Sequence, residues 1–172
     1  FLDGNGRLGR LLITFLLCAG GALREPALYL SLYLKEHRST YYELLNRVRT
    51  HGEWETWIEF FLTAVKETAT QAAATARKIL EMHTRDRARV EKLGRPAASA
   101  LRVFQASQSN PVFSIAAASR KTGLSFPSVS AAVGHLMKLG LVAELTGRQR
   151  GRLFAYKEYL DLLSEGTEPL AR

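Results

Sequence analysis

SIAAASRKTGLSFPSVSAAVGHLMKLG, residues 114–140, is the stretch whose reading settles the C-terminal half of the chain. Ser114 can accept a hydrogen bond from a free first-turn N–H and so open a helix over Ile115 to Thr122. Gly123 then ends it, because a residue without Cβ enters the left-handed conformation at no steric cost. Ser125-Phe126-Pro127 opens a second helix, with Pro127 in the first turn, where a missing N–H is no loss. Helix, glycine-containing turn and helix make up the helix-turn-helix spacing. Along the second helix Val129, Ala132, Val133 and Leu136 share one face, and Ser128, Ala131, His135 and Lys138 share another. The apolar face is expected to pack inward.

On the N-terminal side, Ala97 to Ala106 reads as a short helix with Leu101 and Phe104 inward, broken at Asn110-Pro111. On the C-terminal side, Leu141 to Leu145 and Leu153 to Tyr156 read as two short strands about the polar turn TGRQRGR. The set reads as a winged helix-turn-helix over residues 95–172. Such a unit would lay the face of Ser128, Ala131, His135 and Lys138 in a major groove and set Arg148, Arg150 and Arg152 beside the phosphates of double-stranded DNA. That face offers no Arg, Asn or Gln for bidentate base contacts, so base specificity is expected to be modest. Packing or homodimerisation is the alternative use of the same unit.

Upstream, a helix starting near Glu53 carries the apolar positions Trp57, Ile58, Phe61, Leu62 and Val65. It continues through TATQAAATARKILEMHTRDRARVEKL with weaker apolar positions at Ala69, Ala72, Ala76, Leu80 and His83. The mixed charges at Arg85, Asp86, Arg87 and Arg89 predict a solvated connecting helix over 69–94. His83 has Ile79 and Arg87 one turn away, so no metal pair forms there. Residues 27–49 read as two helices broken near Arg38 to Thr40, with Ser39 or Thr40 capping the second. Leu8 to Ala19 is apolar nearly all round and predicts a central helix packed on most sides, ended by Gly20-Gly21. Cys18 lies within it without a partner and reads as a small core side chain.

In front of that helix stands FLDGNGRLGR, residues 1–10, where acidic, amide, glycine and guanidinium groups are crowded together. Gly4 and Gly6 allow a turn with positive φ whose N–H groups could cradle an anion. Arg7 and Arg10 are one helical turn apart, and both can pair with phosphate oxygens. Asp3 beside them suits a divalent cation bridging carboxylate and phosphate. A calcium loop counted from Asp3 fails, because Leu8 and Thr14 stand where Gly and Glu are required.

These ten residues resemble the signature of the Fic (Fido) family of protein adenylyltransferases, His-x-Phe-x-Asp/Glu-Gly-Asn-Gly-Arg-x-x-Arg, in every position but the histidine. The resemblance implies that Asp3 holds magnesium, that Gly4, Asn5 and Gly6 form an anion hole, and that Arg7 and Arg10 hold the outer phosphates of ATP. The implied reaction moves AMP from ATP to a Ser, Thr or Tyr hydroxyl of a protein acceptor. The family's general base would fall before Phe1, so no catalytic residue is assigned in this chain, which by itself is expected to bind nucleotide weakly and to be inactive. The family commonly carries a Tyr-Tyr pair on the adenine side of its pocket, a place that Tyr41 and Tyr42 would take; packing aromatics are the other reading. The C-terminal unit is similar to the winged helices found at the end of many bacterial Fic proteins. The expected architecture is mainly α, with a partial Fic helical core over 1–68, a long helix over 69–94 and the winged helix. A DNA-binding transcriptional regulator whose Fic part senses nucleotide or acts as a scaffold is the alternative function.

Composition agrees with such a chain. Its 172 residues are 47% hydrophobic, enough for one domain and a small second one. The longest apolar run, Leu11 to Ala19, falls short of the ~20 residues that span a bilayer. With neither a membrane span nor a secretory signal expected, a cytoplasmic location follows. The net charge is +8, and residues 95–172 carry ten Lys and Arg against five Asp and Glu. That balance favours polyanionic partners.

Overall fold

The computed structural model describes residues 5–23, 29–148 and 150–165. Among these residues the protein is mainly helical, with eight helices and one small antiparallel sheet of three strands. The chain divides into two compact units between Ala74 and Thr75.

The first unit contains α1 (Asn5–Ala19), α2 (Leu30–Glu36), α3 (Arg38–His51) and the N-terminal half of α4 (Trp54–Glu91). Its core is small. Leu30, Leu34 and Ala64 are buried, with Ile13, Leu17, Phe60, Phe61 and Val65 packed around them. Helix α1 packs Ile13 and Leu17 against this core, with Thr14 and Cys18 beside them half-buried, while Leu8, Leu11, Leu12, Phe15 and Leu16 are exposed. This differs from the expected helix packed on most sides, because the described helices of the unit cover one stripe of it. Helices α2 and α3 break at His37 rather than at Ser39 or Thr40, and no side chain caps α3. Helix α4 does begin where its acidic start suggests, yet Ile58 and Leu62 are exposed. Its inward positions are Trp57, Phe60, Phe61, Ala64, Val65 and Thr68, a stripe about one residue out of phase with the expected one.

The second unit contains the C-terminal half of α4, α5 (Ala97–Ser109), β1 (Val112–Ser114), α6 (Ile115–Thr122), α7 (Phe126–Lys138), β2 (Ala143–Glu144), β3 (Leu153–Ala155) and α8 (Lys157–Ser164). Strand β3 lies in the middle of the sheet, in the order β1-β3-β2. Phe113 pairs with Phe154 on one side of it and Glu144 with Phe154 on the other. Ala100, Val103 and Phe104 of α5 pack with Val129, Val133 and Leu136 of α7, Phe154 of β3 and Tyr156. From α4, Met82 and Val90 enter the same core.

Asp86, between them at the same helical spacing, is also fully buried. The run from Arg85 to Arg89 is thus no wholly solvated connector: its arginines are exposed while its aspartate faces the core. Helix α5 runs three residues further than the expected Ala97 to Ala106. Strand β1 was not expected, and the β2 and β3 strands are shorter than the segments read from the sequence.

Candidate functional site

The segment from β1 to β3 is built by short-range hydrogen bonds. The Ser114 hydroxyl accepts from the Ala117 N–H at 3.2 Å and opens α6, and Gly123 closes it with φ of 68°. Within the turn, the Ser119 hydroxyl donates to the Leu124 carbonyl at 2.6 Å. Ser125 then opens α7, its hydroxyl accepting from the Ser128 N–H at 3.4 Å, with Pro127 in the first turn. Two arginines hold the ends of these helices. Arg102 donates to the Thr122 carbonyl at the end of α6, and Arg89 to the Leu139 carbonyl just past α7. A guanidinium there meets both an unpaired carbonyl and the negative end of the helix dipole.

The buried residues of α7 are Val129, Ala132, Val133 and Leu136, as the sequence pattern predicts. On its other face Ala131 and Lys138 are exposed, while Ser128 and His135 are half-buried. Phe126, at the start of the helix, is 58% exposed.

The turn between β2 and β3 separates its three arginines. Arg148 and Arg150 are exposed, and neither side chain is held in an ion pair among the described residues. Arg152 is engaged within the unit: it donates to Glu144 Oε2, and its guanidinium lies 5.0 Å from the centroid of the Phe154 ring. The hydrogen bond from Arg152 draws the Glu144 carboxyl below its usual range, and the same contact raises the arginine. Of the three expected phosphate contacts, Arg152 therefore has a structural partner already.

At the other end of the chain, Asp3 and Gly4 lie outside the described residues. Asn5, Arg7 and Arg10 are described by backbone alone, in the first two turns of α1. Gly6 lies within α1 and is helical and exposed rather than a turn residue of positive φ. Tyr41 is half-buried, packing on Trp57 at 5.6 Å between ring centroids, whereas Tyr42 faces outward with the Arg38 guanidinium 5.6 Å from its ring centroid. Among the described residues no cluster of His, Cys, Asp or Glu could hold a metal ion, and no helix is long and apolar enough to cross a membrane.

Asp86 and Tyr156 form a cluster that pattern reading missed. Burial pushes the Asp86 carboxyl upward, but hydrogen bonds from Arg85, Tyr156 and Arg89 outweigh it and hold the group below the usual carboxylate value. Burial and the facing carboxylate push the Tyr156 phenol well above its ordinary range. The available signal was the four-residue spacing of Met82, Asp86 and Val90, which puts the acid in line with two core residues. No protein-family model matches the chain.

Proposed function

We propose that the chain joins a winged helix that binds double-stranded DNA to a Fic-type nucleotide-phosphate site, as part of a protein adenylyltransferase moving AMP from ATP to a protein hydroxyl. The DNA reading is carried by one observation: Arg148 and Arg150 project from the β2–β3 turn without ion pairs among the described residues. The β1-β3-β2 sheet beside α5, α6 and α7 supports the winged helix. In this reading α7 enters the major groove, Lys138 and the two arginines neutralise phosphates, and Arg152 fixes the hairpin that carries them. Fluorescence anisotropy with labelled duplex DNA over a salt series tests it. Affinity should fall steeply with salt and drop when Arg148 and Arg150 are replaced by Ala. Salt-independent binding, or none, overturns it.

The nucleotide reading rests on the ten-residue motif, whose residues from Asn5 to Arg10 lie in α1. Were the motif to open this helix, its first-turn N–H groups would favour an anion, and Gly6 would place no side chain over them. Asp3 would hold magnesium, whose charge would offset that of the phosphates; the amides of Gly4, Asn5 and Gly6 and the guanidinium groups of Arg7 and Arg10 would bind the phosphate oxygens. Tyr42, with its ring outward, is the better placed of the two tyrosines to meet adenine, since Tyr41 packs on Trp57. ATP with magnesium should raise the Tm of the protein, and the double change Arg7→Ala, Arg10→Ala should abolish the rise. No rise in the unaltered protein overturns this part. A regulator that only senses nucleotide would show the rise without any AMP-sized mass gain on an acceptor.

A further inference from the structure

Helix α7 begins with a large apolar side chain in solvent. Phe126 is 58% exposed, although the core of its unit starts three residues later at Val129. Pro127 and Ala131, one helical turn apart, are exposed as well, and so is Ser130. Up to Ala131 the exposed side of this helix therefore carries apolar groups and a hydroxyl, with no charge and no amide. It cannot make the two-pronged hydrogen bonds by which Arg reads guanine or Asn reads adenine. What it can offer a base pair is an apolar contact.

The charge of the C-terminal segment selects the partner. Residues 95–172 have twice as many basic as acidic residues, and Arg148 and Arg150 stand exposed on the hairpin. A polyanion complements that surface better than an apolar patch of a protein does. On the major-groove edges of DNA, the apolar group is the C5-methyl of thymine. We infer that Phe126, flanked by Pro127 and Ala131, reads thymine methyl groups, giving the winged helix a preference for thymine-bearing steps. The inference rests on the DNA reading above and adds the chemistry of its specificity.

The test uses the 172-residue chain. Two labelled duplexes are compared by anisotropy at low salt: alternating dA·dT, and its dA·dU counterpart, which differs only in lacking the C5-methyl groups. The dA·dU duplex should bind more weakly, by about fourfold for each methyl group that the protein would otherwise cover. In Phe126→Ser the two duplexes should bind alike, while Phe126→Leu, which keeps an apolar side chain, should retain the preference. Equal binding of both duplexes by the unaltered protein overturns this inference alone. A methyl preference that persists in Phe126→Ser also overturns it, as does a change of oligomeric state in that variant, which would place Phe126 in a protein interface. Absence of binding to either duplex overturns the DNA reading together with this one.

Discussion

The phenol of Tyr156 donates to Asp86 Oδ2 at 2.6 Å, and both residues are fully buried, so a single hydrogen bond fastens the exit of β3 to the C-terminal half of α4. The same carboxylate accepts from Arg85 Nε at 2.9 Å and lies 3.4 Å from Arg89 Nη1. A buried carboxylate survives in a core only when its oxygens are met in this way. Tyr156→Phe, which removes one donor and keeps the ring, should destabilise the second unit by about 1.5–3 kcal/mol, the worth of a hydrogen bond to a charged group. Urea denaturation followed by circular dichroism gives the value. A change under ~0.5 kcal/mol would contradict the role assigned to this bond.

Acid should weaken the second unit in two stages. The His83 ring lies among those of Phe104, Tyr156 and Tyr159, at centroid distances of 6.5, 5.8 and 5.0 Å. Its buried Nε2 has no hydrogen-bond partner among the described residues. Burial lowers its pKa below the ordinary 6.5, against the opposing pull of the Asp86 carboxylate. The stabilisation from a neutral folded histidine is thus complete above 6.5 and is lost as the pH falls through the folded value. Asp86, also depressed, contributes fully above its ordinary 3.8 and loses that contribution as the pH falls below it. His83→Leu should flatten the upper limb of a Tm-versus-pH curve and leave the lower one. A curve unchanged in shape would show that His83 is not the group titrating.

The three hairpin arginines should separate in their effects on DNA binding. Arg148→Ala and Arg150→Ala should each reduce the slope of log K against log salt by about 1, with little effect on stability. Arg152→Ala should instead release Glu144 and uncover the Phe154 ring, so its main effect should be on Tm. Equal slope changes for all three would mean that Arg152 leaves Glu144 on binding.

Gly134 lies inside α7, and a Cβ added there would meet no atom within 4 Å. Its backbone is helical, so neither space nor conformation calls for glycine. Gly134→Ala should therefore raise stability by about 0.8–1 kcal/mol, the helix-propensity difference, read as a higher urea midpoint at unchanged m-value.

Local chemistry made part of this fold legible. Helix α6 has the limits that Ser114 and Gly123 imply, and the buried face of α7 is the one its apolar spacing gives. Both depend on interactions a few residues apart. Strand β1 escaped notice because three residues after a proline are too few to show alternation, and its pairing with β3 spans some forty residues of chain. Asp86 was hidden by its neighbours, since a run of alternating charges reads as solvated whichever member turns inward. The exposed leucines of α1 could not be foreseen either: a helix apolar all round announces burial, but only its neighbours decide how much of it they cover. Of the first motif, the helix expected from Leu8 already includes Asn5 and Gly6, so the turn expected at Gly6 gives way to α-helix.

The central place of β3 gives the hairpin an uncommon tolerance to cleavage. Trypsin cuts after arginine, and Arg148 and Arg150 are the exposed arginines of the β2–β3 turn. A nick there would separate the chain ahead of β3 from the chain after it, yet β3 would remain hydrogen-bonded to β1 on one side and β2 on the other, with Tyr156 still tied to Asp86. The nicked protein should run as one species on a native gel and as two fragments once denatured.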